Sequence, residues 1–194
     1  MTTAVYQEAE HDPHLLQGVS PELRNILSRT VRVAARMSEN PGGSLWLVGG
    51  VVRDLLLALP IERDIDLVVE GDAIALAHAL AAHLGGDVAA SHEPFGTATV
   101  VLEAGPPGPA LHLDLAMARI ETYPHPAALP VVQPTTIAHD LARRDFSINA
   151  MALEILATDE GDVFPGRLLD PFTDGATWQR GCCACCTTAA SMTT

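Results

Sequence analysis

Apolar residues recur along this chain with a helical period in some stretches and with the two-residue period of a strand in others. Residues 22–37 carry apolar side chains three and four positions apart, which predicts an amphipathic helix. The predicted strands lie at 45–48, 64–69, around 87–90, at 97–103 and at 111–118. Helices interleaved with strands in this way predict an α/β (α+β) domain in which helices flank a sheet.

Glycine and proline mark where the predicted elements end. Pro60 stops the helical run 51–59. Asp72 is placed to cap a helix over 73–84, which the glycine pair at 85–86 ends. These local signals give the predicted helices definite boundaries.

The turn-rich stretches predict the topology and the domain limits. Glycines and prolines at 105–109 turn the chain between two strands, so we expect an antiparallel hairpin and a mixed sheet. The proline-rich stretch 124–134 is expected to be a mobile loop over the site. We expect a flexible lead over 1–20, a globular domain over 21–176 and a separate tail over 177–194.

Two carboxylates stand two residues apart in one predicted strand. Because alternate side chains of a strand share a face, Asp64 and Asp66 should point one way while Ile65 and Leu67 point the other. Paired carboxylates raise each other's pKa unless a cation lies between them, and their oxygens suit Mg²⁺ or Mn²⁺. The pair predicts a divalent-metal site, with solvent-facing residues of an edge strand as the alternative.

A glycine pair precedes this strand by little more than one helix. Gly49 and Gly50 join an apolar strand to a helical run, an arrangement that exposes backbone N–H groups to an anion. Arg53 in the first turn either contacts a phosphate or braces a neighbouring carboxylate. A plain turn is the alternative for the glycines. Joined to the carboxylate pair, this turn indicates metal-dependent nucleotidyl transfer.

Further charged residues extend the candidate site. Asp114 falls on the polar face of the strand at 111–118, either as a third carboxylate or as a structural hydrogen-bonding aspartate. Arg143 and Arg144 follow a helical pattern at 137–142. They mark a place for negative charge or, alternatively, complement the dipole of a solvated helix end.

Several motifs resemble those of class II CCA-adding enzymes and bacterial poly(A) polymerases, members of the polymerase-beta-like nucleotidyltransferase superfamily. They are GGVVRD at 49–54, DIDLVVEGD at 64–72, FGTATV at 95–100, LDLA at 113–116, RRDFSINAMA at 143–152 and LDPF at 169–172. Ser147 stands where the family more often has threonine. The likeness covers roughly residues 20–175, and long motifs in one order are more specific than any single pattern.

The resemblance implies a nucleotidyltransferase head that transfers a nucleoside monophosphate from ATP or CTP to an RNA 3′ end, without a template and not to DNA. Asp64 and Asp66 would hold Mg²⁺ or Mn²⁺. By the same resemblance, an arginine of the 143–144 pair, Asp145 and Asn149 hold the triphosphate and sugar of the incoming nucleotide. These residues complete the predicted site.

The leading functional hypothesis is CCA addition or repair at tRNA. Poly(A) polymerase, or an enzyme that adds only C or only A, is the alternative within the class. A non-catalytic nucleotide- or RNA-binding module is the alternative from another class. The head motifs do not separate these activities.

Charge changes this picture in one respect. The net charge is −13 and all eleven basic residues are arginine, which is unusual for a protein that binds a polyanion. A stripe of arginines on the first helix is either a solvated face or an RNA contact. The stripe consists of Arg24, Arg29, Arg32 and Arg36.

Members of the resembling family continue well beyond the LDPF motif into helical regions. By resemblance, those regions read the base of the incoming nucleotide and carry most of the grip on tRNA. For this chain we therefore expect Mg²⁺-dependent nucleotide binding with little or no CCA addition at physiological salt.

The remaining features concern location and the chain end. The chain lacks an apolar stretch of transmembrane length and a secretion-signal pattern at its start, so a cytoplasmic protein without a membrane partner is expected. All four cysteines lie within 182–186, where adjacent cysteines cannot easily surround one zinc ion. The tail is expected to be disordered and to have a frame-shifted or artificial origin.

Overall fold

An eight-stranded sheet forms the centre of the fold, and a two-stranded sheet accompanies it. The computed structural model describes residues 8–9, 12–37, 45–61, 63–103, 110–125, 128–144, 146–158 and 160–172. The strands are β1 (Glu8–Ala9), β2 (Leu45–Val48), β3 (Asp64–Val69), β4 (Asp87–His92), β5 (Thr97–Leu102), β6 (Leu111–Met117), β7 (Arg119–Thr122), β8 (Val131–Pro134), β9 (Ala152–Ala157) and β10 (Val163–Leu169). The helices are α1 (Pro21–Met37), α2 (Gly50–Leu56), α3 (Ala73–Leu84) and α4 (Ile137–Ala142).

The large sheet has the strand order β1-β10-β9-β2-β3-β6-β5-β4. Only β3 and β6 run parallel among its described pairs, and the others are antiparallel. The prediction of a mixed sheet is therefore confirmed. The predicted hairpin of β5 and β6 is also confirmed by their antiparallel register, which pairs Leu102 with Leu111. The turn at 104–109 lies outside the described residues.

One face of the sheet is covered by helices α1, α2 and α3. The amphipathic pattern at 22–37 is confirmed by α1, which buries Leu27 and Val33 in the main core. The sheet contributes Ile65 and Leu113 to the same core, and both are fully buried. Burial of these aliphatic side chains holds the helices on the sheet.

Local chemistry sets the ends of α3 as the sequence predicts. The Oδ1 atom of Asp72 accepts hydrogen bonds from the backbone N–H groups of Ile74 and Ala75, at 3.0 and 2.9 Å. Gly85 ends the helix in the left-handed conformation with φ of 74°. Helix α2, in contrast, ends at Leu56, before the predicted limit, and Ala58 just beyond it has a left-handed φ of 52°, which is incompatible with a continued helix.

The packing at Gly86 gives a stability prediction. A Cβ atom at this position would lie 2.5 Å from the Val101 carbonyl oxygen and 2.5 Å from Leu102 Cδ2. Gly86→Ala is therefore expected to lower the free energy of unfolding by about 1–3 kcal/mol in urea titration. Gly18→Ala is the control, since a Cβ there meets nothing within 4 Å. Equal stability of Gly86→Ala and the wild type would contradict this packing.

Two expected flexible segments are partly ordered, and both expectations were wrong there. In the stretch 124–134, β8 pairs with β7, because β-branched valines favour a strand and an edge strand tolerates Pro134. In the expected lead, Leu16 and Val19 are buried in the core, and β1 pairs with β10. The tail 177–194 lies outside the described residues.

None of the described helices is long and apolar enough to span a membrane.

Candidate active site

Helix α4 packs on the second face of the sheet. Ile137 and Leu141 of this helix pack with Trp46 and Val68 in a second buried cluster. The backbone N–H of Ile137 donates to Glu70 Oε1 at 2.7 Å, which fixes the start of α4 on the sheet. Beside this cluster, a cavity of about 310 Å³ opens over β3, β6, β5 and β4.

Carboxylates from two parallel strands meet in this cavity. The register pairs Asp66 of β3 with Asp114 of β6, and both line the cavity. Asp64 lies on the same face as Asp66, while Ile65 and Leu67 are buried on the other, as the strand period predicts. The Asp64 carboxylate is exposed, and its Oδ1 lies 3.4 Å from His112 Nδ1. The structure thus brings Asp66 and Asp114 together and leaves Asp64 at the margin.

The electrostatics of the cavity centre on Asp66. Partial burial, then the nearby Asp114 and Asp64 carboxylates, raise its pKa above the ordinary value, while Arg144 acts in the opposite direction. The raised pKa means that the cavity disfavours the charged form of Asp66. A cation would relieve that charge.

Without a metal, Asp66→Asn is therefore expected to raise the melting temperature at pH 7. A carboxyl whose folded-state pKa is raised destabilises the folded state at pH values above that pKa. The gain should be full there, shrink as pH falls through the folded-state pKa of Asp66, and vanish below the unfolded value near 3.8. Thermal unfolding in EDTA across this pH range measures it. A lower melting temperature at pH 7 would contradict the argument that burial and the neighbouring carboxylates destabilise the charged form of Asp66.

The glycine turn places backbone beside the same carboxylate. Gly49 follows β2 with φ of +72°, a backbone conformation that residues other than glycine rarely adopt. A Cβ here would lie 3.7 Å from Asp66 Oδ2 and 3.8 Å from Arg144 Nη1. The Gly49 N–H donates to the Met151 carbonyl at 3.2 Å, and Gly50 begins α2. The turn therefore lies against the carboxylates and the arginine. The Gly49 N–H, which the sequence analysis expected to face an anion, is instead bonded to the Met151 carbonyl.

Arg144 is held at the cavity by α4 and by the segment that follows it. Its Nη2 donates to Asp140 Oδ2 at 3.1 Å, and its Nη1 donates to the Asn149 carbonyl at 3.4 Å. The Asp140 side chain is 1% exposed. The buried Asn149 Oδ1 has no hydrogen-bond partner among the described residues. Arg144 is therefore oriented by buried groups and faces the carboxylates.

Two of the other predicted site residues, Arg143 and Arg53, do not line the cavity. The Arg143 guanidinium donates to Asp140 Oδ1 at 2.7 Å and to Glu121 Oε1 at 2.9 Å. Arg53 makes a two-point contact with Asp54, at 2.8 and 3.1 Å, as the bracing alternative predicts. Asp145 lies outside the described residues.

An ionic network connects α4 to the β7–β8 hairpin. Glu121 also accepts from Arg119 Nε at 3.0 Å and from the Tyr123 hydroxyl at 2.8 Å. Burial acts to raise the pKa of Glu121, but the hydrogen bonds from Tyr123 and Arg119 and the charge of Arg143 outweigh it and lower the pKa. Glu121 therefore stays ionised and holds the hairpin to Arg143.

Sequence reasoning missed Asp140 as a functional residue. It stands three residues before Arg143 and four before Arg144 in a helical run, the spacings at which side chains on a helix meet. That spacing was the available signal. The hydroxyl of Thr99 donates to Asp114 Oδ1 at 2.5 Å. This contact was missed because it joins two strands whose register the sequence alone does not specify.

The donor set suits a divalent ion that arrives with a phosphate ligand. Among the described residues, no three His, Cys, Asp or Glu side chains converge as a complete metal cage. Mg²⁺ commonly binds one or two carboxylates and takes its other ligands from substrate phosphates and water. The carboxylates of Asp64 and Asp66, which share one face of β3, fit that mode, with Asp114 beside them on β6.

The fold matches a known class of nucleotidyltransferase. A solved CCA-adding enzyme, in its apo form II, superposes with a TM-score of 0.69 and 35% identity, over 88% of this chain and 37% of that one. The predicted nucleotidyltransferase head fold is therefore confirmed. The chain belongs to the poly A polymerase head domain family, whose model matches residues 45–177. Nucleotidyltransferases of this family generally use divalent metal ions.

Curated relatives carry names from the same class. An A-adding tRNA nucleotidyltransferase of Halalkalibacterium halodurans is 42% identical over 171 residues, which is 86% of this chain and 36% of that protein. A CC-adding tRNA nucleotidyltransferase of Geobacter sulfurreducens is 35% identical over 165 residues, which is 85% of this chain and 30% of that protein. This chain thus spans about a third of the length of these relatives.

Proposed function

We propose that this chain is the catalytic head of a tRNA nucleotidyltransferase, which transfers AMP or CMP from ATP or CTP to the 3′ end of tRNA and releases pyrophosphate. One observation carries the proposal. The carboxylates of Asp66 and Asp114 are paired across parallel strands in one cavity, beside Arg144 and the Gly49 turn. Negative and positive groups are thus arranged around one point, as phosphoryl transfer requires.

Each residue has a distinct role in this proposal. Asp66 and Asp64 would hold Mg²⁺ or Mn²⁺, and the ion would supply charge neutralisation for the triphosphate and lower the pKa of the attacking hydroxyl. Arg144 contacts the phosphates, and Asn149 turns its buried, unpartnered Oδ1 toward a donor on the nucleotide sugar. Asp114 orients the 3′ hydroxyl of the acceptor. Arg143 acts through Asp140 and touches neither substrate.

AMP transfer is the first candidate and CMP transfer the second. Identity is higher to the A-adding relative, at 42%, than to the CC-adding one, at 35%. In this proposal Arg144 and Asn149 contact the phosphates and the sugar, which both nucleotides share. Poly(A) addition and a non-catalytic role stay as alternatives, and a cytoplasmic location stays a prediction.

The test uses a chimera in which this head replaces the matching segment of the A-adding relative. The chimera should add A to tRNA that ends in CC, or C to tRNA that lacks both C residues, with labelled ATP and CTP in Mg²⁺. The chain of 194 residues alone is expected to bind nucleotide and add little. A folded chimera that adds neither nucleotide would contradict the proposed function, and addition to poly(A) alone would favour the poly(A) alternative.

Arg144→Ala should weaken ATP and CTP together. The guanidinium at this point faces groups that both nucleotides share, so its loss removes a charge-assisted contact and carries no base information. We expect about a tenfold or greater rise in both dissociation constants, as measured by calorimetry in Mg²⁺. Arg36→Ala on the exposed end of α1 is the charge-matched control. Selective loss of one nucleotide would contradict the assignment.

A further inference from the structure

The four arginines that the sequence analysis grouped as a stripe on α1 have different surroundings in the structure. Arg29 donates to the His83 carbonyl, and Arg36 Nη1 lies 3.5 Å from His83 Nε2. Arg32 donates to a backbone carbonyl at 3.2 Å. The Nε atom of Arg24, in contrast, is buried and has no hydrogen-bond partner among the described residues, and no described carboxylate pairs with its guanidinium. Arg24 therefore differs from the other three arginines in having an unpaired charge.

Arg24 lines a cavity of about 250 Å³. The cavity is formed by α1, by the segment 13–17 that precedes α1, and by the start of β10. It shares no described lining residue with the cavity that holds Asp66 and Asp114. A buried N–H group without an acceptor costs free energy, and an anionic group in the cavity would supply the acceptor.

Two further donors accompany Arg24 in this cavity. The Gln17 Nε2 atom donates to His14 Nδ1 at 2.8 Å. Because Nδ1 accepts this bond, a neutral His14 ring carries its proton on Nε2 and keeps one donor, and the Gln17 amide keeps its second N–H. A guanidinium beside uncharged N–H donors suits a phosphate group.

An acidic side chain lines the same cavity. Asp162 is exposed, and no ion pair joins it to Arg24 in the part of the chain that the structure describes. Unpaired charges of opposite sign in one cavity suit a ligand with an anionic group at one end and N–H donors at the other. Guanine, adenine and cytosine carry such an amino group, and uracil does not.

The apolar lining favours one class of ligand. Pro13, Phe164 and Pro165 also line the cavity, and flat apolar surfaces of this kind suit the face of a base. A free amino acid would satisfy both charges but would leave these surfaces without a partner. A strand of RNA would bring several phosphates to a protein of net charge −13, beside the Asp162 carboxylate. The lining therefore favours a single nucleotide.

We propose that this cavity is a second nucleotide site, which binds a nucleoside monophosphate whose base carries an amino group. Arg24 pairs with the phosphate, His14 and Gln17 supply further donors, and Asp162 accepts from the base. The site is separate from the proposed transfer site and needs no metal ion. Its ligand bridges the segment 13–17, α1 and β10, and so stabilises the folded N-terminal part of the chain.

Calorimetric titration of the full chain with GMP and UMP in EDTA tests this site. GMP should bind, and UMP should bind at least about fivefold more weakly, because uracil offers Asp162 carbonyl oxygens in place of an amino group. Arg24→Gln should weaken GMP binding about tenfold or more. Asp162→Ala should bring the affinities for GMP and UMP within about twofold of each other. Arg36→Gln, the same change at the exposed end of α1, is the matched control and should bind GMP as the wild type does.

Several outcomes would overturn the second site. Equal GMP affinity in Arg24→Gln and the wild type would do so, as would UMP binding as tight as GMP binding in the wild type. Tighter binding of inorganic phosphate or of glycine than of GMP would replace the nucleotide with a simple anion or an amino acid.

Two further measurements separate this site from the transfer site and from effects on folding. Arg144→Ala should leave GMP binding in EDTA unchanged, and a loss in that variant would place GMP in the active-site cavity and overturn the second site. Failure of Mg²⁺-dependent ATP binding would contradict the proposed function and leave GMP binding in EDTA as it is. Thermal unfolding shows whether Arg24→Gln is folded. If it is not, Asp162→Ala tests the site independently, because this side chain is exposed.

Discussion

Replacing Asp140 with asparagine is expected to lower the free energy of unfolding by about 3 kcal/mol and to weaken ATP binding as well. Its side chain is 1% exposed and accepts from both Arg143 and Arg144. Loss of the Asp140 charge leaves the partly buried guanidinium groups of Arg143 and Arg144 without this counter-charge. This loss of about 3 kcal/mol lies at the low end of the range for broken buried ion pairs. The reason is that the side chains of Arg143 and Arg144 remain 27% and 23% exposed.

Urea titration and ATP calorimetry together check this double effect. Arg144 would lose its main anchor, so ATP binding should weaken even below the temperature at which the variant unfolds. Glu22→Gln, an exposed carboxylate in the first turn of α1, is the control and should change the unfolding free energy by less than about 0.5 kcal/mol. A stable Asp140→Asn with normal ATP affinity would show that the network does not position Arg144.

Asp66→Asn should have the largest effect on catalysis. In the active chimera, transfer is expected to fall about a thousandfold or more, which corresponds to about 4 kcal/mol of barrier. The substitution keeps the shape of the side chain and removes the anionic oxygens at the centre of the cavity. Single-turnover transfer of labelled AMP measures the loss.

The same variant is expected to be more stable than wild type without metal, so loss of activity cannot be ascribed to unfolding. Asp87→Asn on the edge strand β4 is the matched control and should retain transfer within about threefold, since surface changes are usually mild. An Asp66→Asn enzyme with more than about a tenth of wild-type transfer would contradict the role of this carboxylate.

Local sequence patterns were sufficient for much of the fold. The shared face of Asp64 and Asp66 follows from the two-residue period of a strand, and the caps of α3 follow from Asp72 and Gly85. Each of these features depends on residues a few positions apart. Their physical causes are therefore readable along the chain.

The remaining features depend on contacts between distant segments. The pairing of Asp66 with Asp114 is a register between strands joined by a long connection, so alternation alone could not specify it. The orientation of Arg143 depends on Glu121 in the β7–β8 hairpin. The sequence analysis predicted a loop over 124–134, where β8 lies, so it did not predict this hairpin. The sequence therefore identified an arginine pair but could not tell which arginine faces the cavity.

The same limit applies to the N-terminal segment. Prolines and polar residues suggested a flexible lead, yet Leu16 and Val19 pack into the core against elements distant in sequence. Tertiary burial outweighed the local composition in this segment. The family resemblance indicated the roles of the site residues. The structure shows that Arg144, and not Arg143, lies beside the carboxylates.

The most direct test of a metal-dependent nucleotide site on this sheet face is titration of the 194-residue chain with ATP, with Mg²⁺ and with EDTA. The account predicts binding in Mg²⁺, a loss of at least about tenfold in affinity in EDTA, and a similar loss for Asp66→Asn and Arg144→Ala. Glu22→Gln and Arg36→Ala should bind as the wild type does. ATP binding that is unaffected by EDTA and by both site substitutions would contradict it.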